Sequence, residues 1–120
     1  MIFNGIQTIA AAGSDQSGAT SVALPNATSG AGGGTVVKVT GADGTKGVKM
    51  PALSSVTIGA LFLICNTDGS NNLEVYPNTS DAITPGSDNG PITVAANTIL
   101  LCIALDDTQW FGSELPIIAV

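Results

Sequence analysis

The lack of helical periodicity constrains this chain more than any other feature of its sequence. No window keeps apolar residues at positions i, i+3, i+4 and i+7 between capping residues, which is the spacing of an amphipathic helix. Gly and Pro instead recur every few residues, and β-branched residues gather in short runs between turn residues. The sequence therefore predicts an all-β fold of about eight short strands, as an antiparallel β-sandwich or a small, jelly-roll-like β-barrel.

Two turn sequences predict β-hairpins. The GADG turn at residues 41–44 separates the strand TVVKVT from a return strand at residues 47–50, which Pro51 ends. The DGSN turn at residues 68–71 separates LFLICN from LEVY in the same way. No helical crossover is visible between the predicted strands, so an antiparallel arrangement is favoured.

Two predicted strands are apolar on both faces, LFLICN at residues 61–66 and TILLCIAL at residues 98–105. Such strands are expected to be covered on both sides, by the core of the domain on one side and by a neighbouring subunit on the other. Each contains one cysteine, Cys65 or Cys102. We expect two buried, reduced thiols, and the alternative is a disulfide between adjacent strands.

Charge and size exclude several classes of partner. The 120 residues fit a single domain. Only three residues are basic and the net charge is −6, so the chain lacks the cations that nucleic acids and anionic membranes require. Charged residues make up 10% of the chain, against roughly 25% in ordinary domains. A surface this poor in charge suits a protein that is packed against neighbours.

The residue types argue against an enzyme. Histidine is absent, which removes the usual general base and every His-containing triad. The aspartates stand beside Gly or Ser in turn contexts, and the adjacent pair Asp106 and Asp107 is expected to form a turn. Two cysteines without histidine are too few for structural zinc, and no calcium-loop spacing occurs. We therefore expect no catalytic residues, no metal and no cofactor.

The N-terminal part of the chain is expected to form an extended arm. Residues 1–34 combine an apolar start with the Gly-rich linker NATSGAGGG, and residues 35–120 are expected to form the body of a single domain. Such a linker would let the arm reach a neighbouring molecule. The start has no basic residues and no apolar run is long enough to span a bilayer, so neither a signal peptide nor a membrane helix is expected.

The order of motifs from Val36 to Trp110 resembles a module of tailed-bacteriophage virion proteins. The chain carries, in this order, TVVKVT, GVKMP, LFLICN, LEVYP, an isolated Ile83, ITVAANTILL and TQW, and AAGSDQSGAT precedes them. The resemblance implies a head decoration (cement) protein that binds the major capsid protein as a homotrimer. It further implies synthesis in the cytoplasm of the bacterial host, a place on the capsid surface of the virion, and no catalytic residues.

Apolar residues near both ends of the chain are the candidates for contact with other subunits. The candidates for contact with the capsid are Ile2, Phe3, Ile6 and Ile9. The candidates for packing between subunits are Leu115, Ile117, Ile118 and Val120.

Two other functions fit the same sequence. The chain would serve equally as a tail or fibre component with the same fold. It would also serve as a small carbohydrate-binding lectin in which Trp110 and Phe111 stack on a sugar.

Overall fold

The computed structural model describes residues 5–24 and 35–115, and it confirms the all-β prediction. Ten strands and one short 3-10 helix (Leu53–Ser55) form within these ranges. No helix among these residues is long and apolar enough to cross a membrane. The strands are β1 (Ile6–Ala10), β2 (Thr20–Ser21), β3 (Val36–Thr40), β4 (Gly47–Lys49), β5 (Leu61–Asn66), β6 (Leu73–Tyr76), β7 (Ala82–Thr84), β8 (Ile92–Val94), β9 (Thr98–Ala104) and β10 (Gln109–Glu114).

The strands form two sheets that enclose one hydrophobic core. The six-stranded sheet has the order β1-β3-β5-β9-β10-β7, and the four-stranded sheet has the order β2-β4-β6-β8. Alternate residues of the strands point between the sheets, as the pleat requires. The side chains at the centre of this core are at most 1% exposed: Val37, Phe62, Ile64, Leu100, Trp110, Val48, Leu73, Val75 and Val94.

The first six strands stack in parallel, like the coils of a solenoid. The chain alternates between the sheets, so that β1, β3 and β5 are parallel neighbours in one sheet and β2, β4 and β6 in the other. Between the second and third coils each residue pairs with the residue 27 positions later, as Val36 with Leu63 and Gly47 with Glu74. Each of these coils therefore supplies one strand to each sheet.

The predicted antiparallel arrangement is wrong for most of the strand pairs. Of the eight pairs in the described chain, only β5–β9, β9–β10 and β6–β8 are antiparallel. The two predicted hairpins are absent, because the strands on either side of GADG and of DGSN belong to different sheets. These turns are corners between the sheets. The arrangement is accordingly a stack of coils closed by antiparallel strands, in place of a jelly roll.

The N-terminal segment is part of the fold over the residues that the structure describes. Strand β1 pairs with β3 along its whole length, and the N–H of Ala11 donates to the carbonyl of Thr40 at 2.8 Å. The buried side chain of Gln7 exchanges two 3.0 Å hydrogen bonds with the backbone of Ala23. Residues 6–21 thus form the first coil, where an arm was expected. The Gly-rich linker lies outside the described residues.

Aspartates fix the corners between the sheets. At the corner between β3 and β4, Oδ1 of Asp43 accepts hydrogen bonds from the backbone N–H groups of Thr45 and Lys46, each at 2.9 Å, and from the hydroxyl of Thr45. Side-chain acceptors of this kind stabilise turns by satisfying backbone donors. Equivalent carboxylate bonds occur at Asp15 and Asp68 in other corners, and at Asp106 in the hairpin turn between β9 and β10 of the six-stranded sheet. These bonds confirm that the aspartates are turn residues.

These turn hydrogen bonds make the stability of the fold depend on pH in the acid range. Backbone N–H donors lower the pKa of four aspartates: Asp15, Asp43, Asp68 and Asp106. A carboxyl with a lowered folded-state pKa contributes stability above its unfolded pKa, and that stability is lost as the pH falls through the folded value. We expect the thermal unfolding midpoint to be nearly constant from about pH 7 to about pH 5 and to fall below about pH 4.

Circular dichroism melts across this pH range measure the effect. The substitution Asp43→Asn keeps an acceptor oxygen but removes the charge, so the variant should be less stable at neutral pH and should lose less stability in acid. The same substitution at the exposed Asp107 is the matched control. Equal acid sensitivity of the Asp43→Asn variant and the natural chain would show that these carboxylates do not set the acid limit.

Candidate protein-interaction surface

The outer face of the six-stranded sheet is apolar. Its central strands are β5 and β9, whose inward side chains fill the core while their outward side chains remain half-buried in the single chain. The expectation that both strands are apolar on both faces is therefore confirmed, and the described chain covers only one of these faces. We call the other the apolar face. Its apolar residues are Ile6, Val36, Leu61, Leu63, Cys65, Ile99, Leu101, Ile103 and Phe111, and the polar residues at its other outward positions, mainly on the outer strands, are Thr8, Lys38, Thr40, Thr84, Gln109 and Ser113.

Strand register aligns these side chains into continuous rows. One row runs across four strands as Ile6, Val36, Leu63 and Leu101. A second row joins Leu61 on β5, Ile103 on β9 and Phe111 on β10. Ile6 is 67% exposed and Phe111 is 46% exposed. Contiguous apolar surface of this kind marks a site of contact with another molecule.

The apolar face carries almost no charge. Lys38, which pairs with Cys65 across β3 and β5, is the one charged side chain on the outward positions of its described strands. None of the nine acidic residues occupies an outward position there. Glu114, the last residue of β10, is paired with the inward-facing Leu100 on β9, and its carboxylate accepts a hydrogen bond from the N–H of Ala95. The net charge of −6 therefore resides on other surfaces of the chain.

The outer face of the four-stranded sheet is polar by comparison. Thr93 donates a 2.9 Å hydrogen bond to the carboxylate of Glu74 on the neighbouring strand. The ring of Tyr76 covers Gly47, where a Cβ atom would lie only 2.9 Å from a ring carbon. Ser21 and Lys49 complete this surface by register. The two outer faces of the molecule thus differ in chemistry, and one of them alone is apolar.

The structure places some of the predicted contact residues on the apolar face. Ile6 lies on it, whereas Ile9 is half-buried and packs against the core. The N–H of Leu115 donates to the carbonyl of Ile99 at 2.9 Å, so Leu115 extends β10 beside β9, and it is 36% exposed. The other predicted contact residues lie outside the described residues: Ile2, Phe3, Ile117, Ile118 and Val120.

The two cysteines lie on opposite faces of the six-stranded sheet. Cys65 pairs with Ile99 on the apolar face, and Cys102 pairs with Phe62 in the core. Both thiols are free, and a disulfide between them would have to pass through the sheet. Burial raises the pKa of Cys102 to about 12 and also raises the pKa of Cys65. Cys102 is therefore a core residue, and Cys65 is a half-exposed thiol, where burial was expected for both.

Trp110 lies in the core, where it cannot stack on a sugar. Its side chain is fully buried, and its ring meets the ring of Phe62 edge-on at a centroid distance of 5.5 Å. The lectin hypothesis thus loses Trp110, and of its two proposed stacking residues only Phe111, which is 46% exposed, remains accessible. Within residues 5–24 and 35–115, no three His, Cys, Asp or Glu side chains gather in a group that would hold a metal ion.

The apolar face was only half predictable. Its central strands follow from their two apolar faces, but the place of Phe111 on this face was not predicted, because Phe111 was considered only together with Trp110. The alternation along QWF places one aromatic ring on each side of β10, and that signal would have separated them. Comparison of the chain with protein-family models, with curated proteins and with solved structures finds no match.

Proposed function

We propose that this chain is a non-enzymatic structural protein of a phage virion, and that it acts as a decoration protein on the outer surface of the head. The observation that carries the proposal is the apolar face, which a protein neighbour would remove from water. Burial of apolar area stabilises an assembly by roughly 25 cal/mol per Å². A protein that binds only the intact shell then favours that shell by mass action.

The motifs behind the resemblance support a structural role. GVKMP and LEVYP contain the strands β4 and β6, which are parallel neighbours in register, with Val48 beside Val75 and Lys49 beside Tyr76. The segments TVVKVT and LFLICN are likewise neighbours, as β3 and β5. These motifs are therefore elements of the coil stack, and their order along the chain follows the order in which the coils are built. The homotrimer that the resemblance implies is a separate prediction.

Co-sedimentation with heads that lack accessory proteins tests the proposal. The heads should come from the phage whose genome encodes this chain. We expect saturable binding at many copies per particle, and a higher temperature for disruption of the decorated heads. A folded chain that does not bind these heads, but occurs at low copy number in whole virions, would overturn the head assignment in favour of a tail or fibre component.

The predicted contact at Ile6 can be tested in the same assay. Deletion of residues 1–12 is unsuitable because it removes β1 and uncovers the edge of β3. The substitution Ile6→Thr keeps a β-branched residue in the strand, and Ser21→Thr on the polar face is the matched control. Weaker binding by the Ile6→Thr variant alone is the expected result, and unchanged binding would exclude Ile6 from the contact with the head.

A further inference from the structure

We infer that the apolar face is covered by a second copy of this chain, with two copies packed face to face around a two-fold axis. This inference names the partner of the apolar face, and it rests on the proposed role of the chain as a protein that is packed against protein neighbours. It replaces the homotrimer that the resemblance implies. Contact with the head is left to the margin of the face at Ile6, on the edge strand β1, and to other surfaces of the pair.

The distribution of apolar surface favours a two-fold pair. A ring of three requires two different complementary patches on every copy, whereas a two-fold interface uses the same patch twice. The outward positions of the four-stranded sheet are occupied by polar side chains and the covered glycine, as described above. Six large apolar side chains of the described chain are exposed. Ile6, Phe111 and Leu115 lie on or beside the apolar face, whereas Leu24, Ile58 and Leu105 lie in loops outside the strands. On the apolar face, strand register joins such residues into continuous rows, and a two-fold interface uses one such face twice.

The distribution of charge favours the same partner. Two copies that each carry a net charge of −6 repel one another over most orientations. The apolar face has no acidic side chain on its outward positions, so this is the surface through which two such chains can approach with the least repulsion. Lys38 is its one cation, and the long aliphatic stem of a lysine can pack on apolar neighbours while its ammonium reaches water.

The dimensions of the face suit a weak pair. Six strands at a spacing of about 4.8 Å and about five residues at about 3.3 Å each cover roughly 24 by 17 Å. Two such faces bury about 800 Å² in total, which is less than a stable interface buries and is typical of a weak, transient one. Two sheets that pack face to face sit about 10 Å apart with their strands nearly aligned. We therefore expect a pair that dissociates on dilution.

Light scattering coupled to size-exclusion chromatography tests the pairing. We expect twice the chain mass of 11.9 kDa at high concentration, and dissociation on dilution. The substitution Phe111→Lys places a charge on the apolar face at a half-exposed position, so the monomer should fold normally while its dissociation constant rises at least about tenfold. Thr93→Lys, on the polar sheet, is the matched control and should pair normally.

Cys65 supplies a second measurement that needs no substitution. In the pair, its thiol should be protected from a maleimide reagent, so that the rate of labelling falls as the protein concentration rises. The Phe111→Lys variant should be labelled at a rate that does not depend on concentration. Cys102 should remain unlabelled in every folded sample, because its thiol is fully buried.

The outcomes separate this inference from the proposed function. A monomer at all concentrations, with Cys65 labelled at a constant rate, would overturn the pair, and so would a trimer. Such a monomer that still binds heads would leave the decoration role intact. A pair that dissociates in the Phe111→Lys variant, from a chain that does not bind heads, would uphold the pairing and remove the decoration role.

Discussion

Replacing Trp110 with alanine should lower the free energy of unfolding by about 3–5 kcal/mol, the usual cost of removing a large buried aromatic side chain. Trp110 is fully buried and lies edge-on to Phe62, so alanine would leave a cavity and remove an aromatic pair. A domain of this size is stabilised by only about 5–15 kcal/mol in total. The Trp110→Ala variant should therefore be partly unfolded under conditions in which the natural chain is folded.

The substitution Trp110→Phe separates volume from polarity. The indole Nε1 is buried without a hydrogen-bond partner among the described residues, and such a group costs about 1–3 kcal/mol. Phenylalanine removes this unpaired N–H but also some volume, so the two effects oppose each other and the net loss should be about 1 kcal/mol or less. Urea unfolding followed by far-ultraviolet circular dichroism compares both variants without relying on tryptophan fluorescence. An equal loss in both variants would contradict this expectation, because it would show that a phenyl ring recovers none of the stability that the indole provides.

The sequence predicts the strands of this fold better than their pairing. Strands β3, β5 and β9 follow from runs of β-branched and aliphatic residues, which a half-buried pleated surface favours. GADG and DGSN do mark changes of direction, but Asp and Gly favour a corner between two sheets as much as they favour a hairpin turn. Whether the next strand pairs with the previous one is settled by tertiary packing, so the parallel coil stack was not predicted.

Internal repetition was the signal that would have corrected the topology. Asp43-Gly44-Thr45 followed by VKMP corresponds to Asp68-Gly69-Ser70 followed by VYP, and these segments occupy equivalent places in successive coils. A recurring unit of 20–50 residues is typical of solenoids. The repeat is hard to recognise in the sequence because the corners differ in length by one or two residues. Few side chains in equivalent positions are the same, apart from the inward Val48 and Val75.

The strand pattern predicts that the apolar face is covered by another molecule, but it does not predict which molecule. Two apolar faces on β5 and β9 predicted that something covers the outside of the sheet, and the structure leaves that surface half-exposed in the single chain. The pattern does not identify the partner that covers this face, since Leu63 and Leu101 would pack equally well against another sheet or against a different protein. The distribution of charge over the folded surface is what favours one partner. That distribution depends on where the fold places the aspartates, and the strand pattern does not give their positions.

A second large effect is expected at Asn66, which is buried at the end of β5. Its Nδ2 donates to the carbonyl of Asn71 at 2.9 Å and to the carbonyls of Val94 and Ala95 at 3.2 Å each, while its Oδ1 accepts from the N–H of Asp68 at 3.1 Å. One side chain thus joins the six-stranded sheet, a corner turn and the end of β8. Leucine has a similar volume but satisfies none of these groups, so Asn66→Leu should cost about 2–5 kcal/mol.

The substitution Asn66→Asp tests the same hydrogen bonds through the pH dependence of stability. An ionised carboxylate at position 66 would face three carbonyl oxygens without a proton to donate, whereas the protonated acid can donate one hydrogen bond. Burial beside these oxygens favours the protonated form, so the stability of this variant should rise as the pH falls from about 7 to about 5. The natural chain should change little over that interval, and so should Asn72→Asp, the matched control at an exposed position in the same turn. A variant Asn66→Asp that is as stable as the natural chain at neutral pH would mean that the donors of Nδ2 are dispensable. The three carbonyls would then have to be satisfied by water, and the link between the sheets at this corner would depend on packing alone.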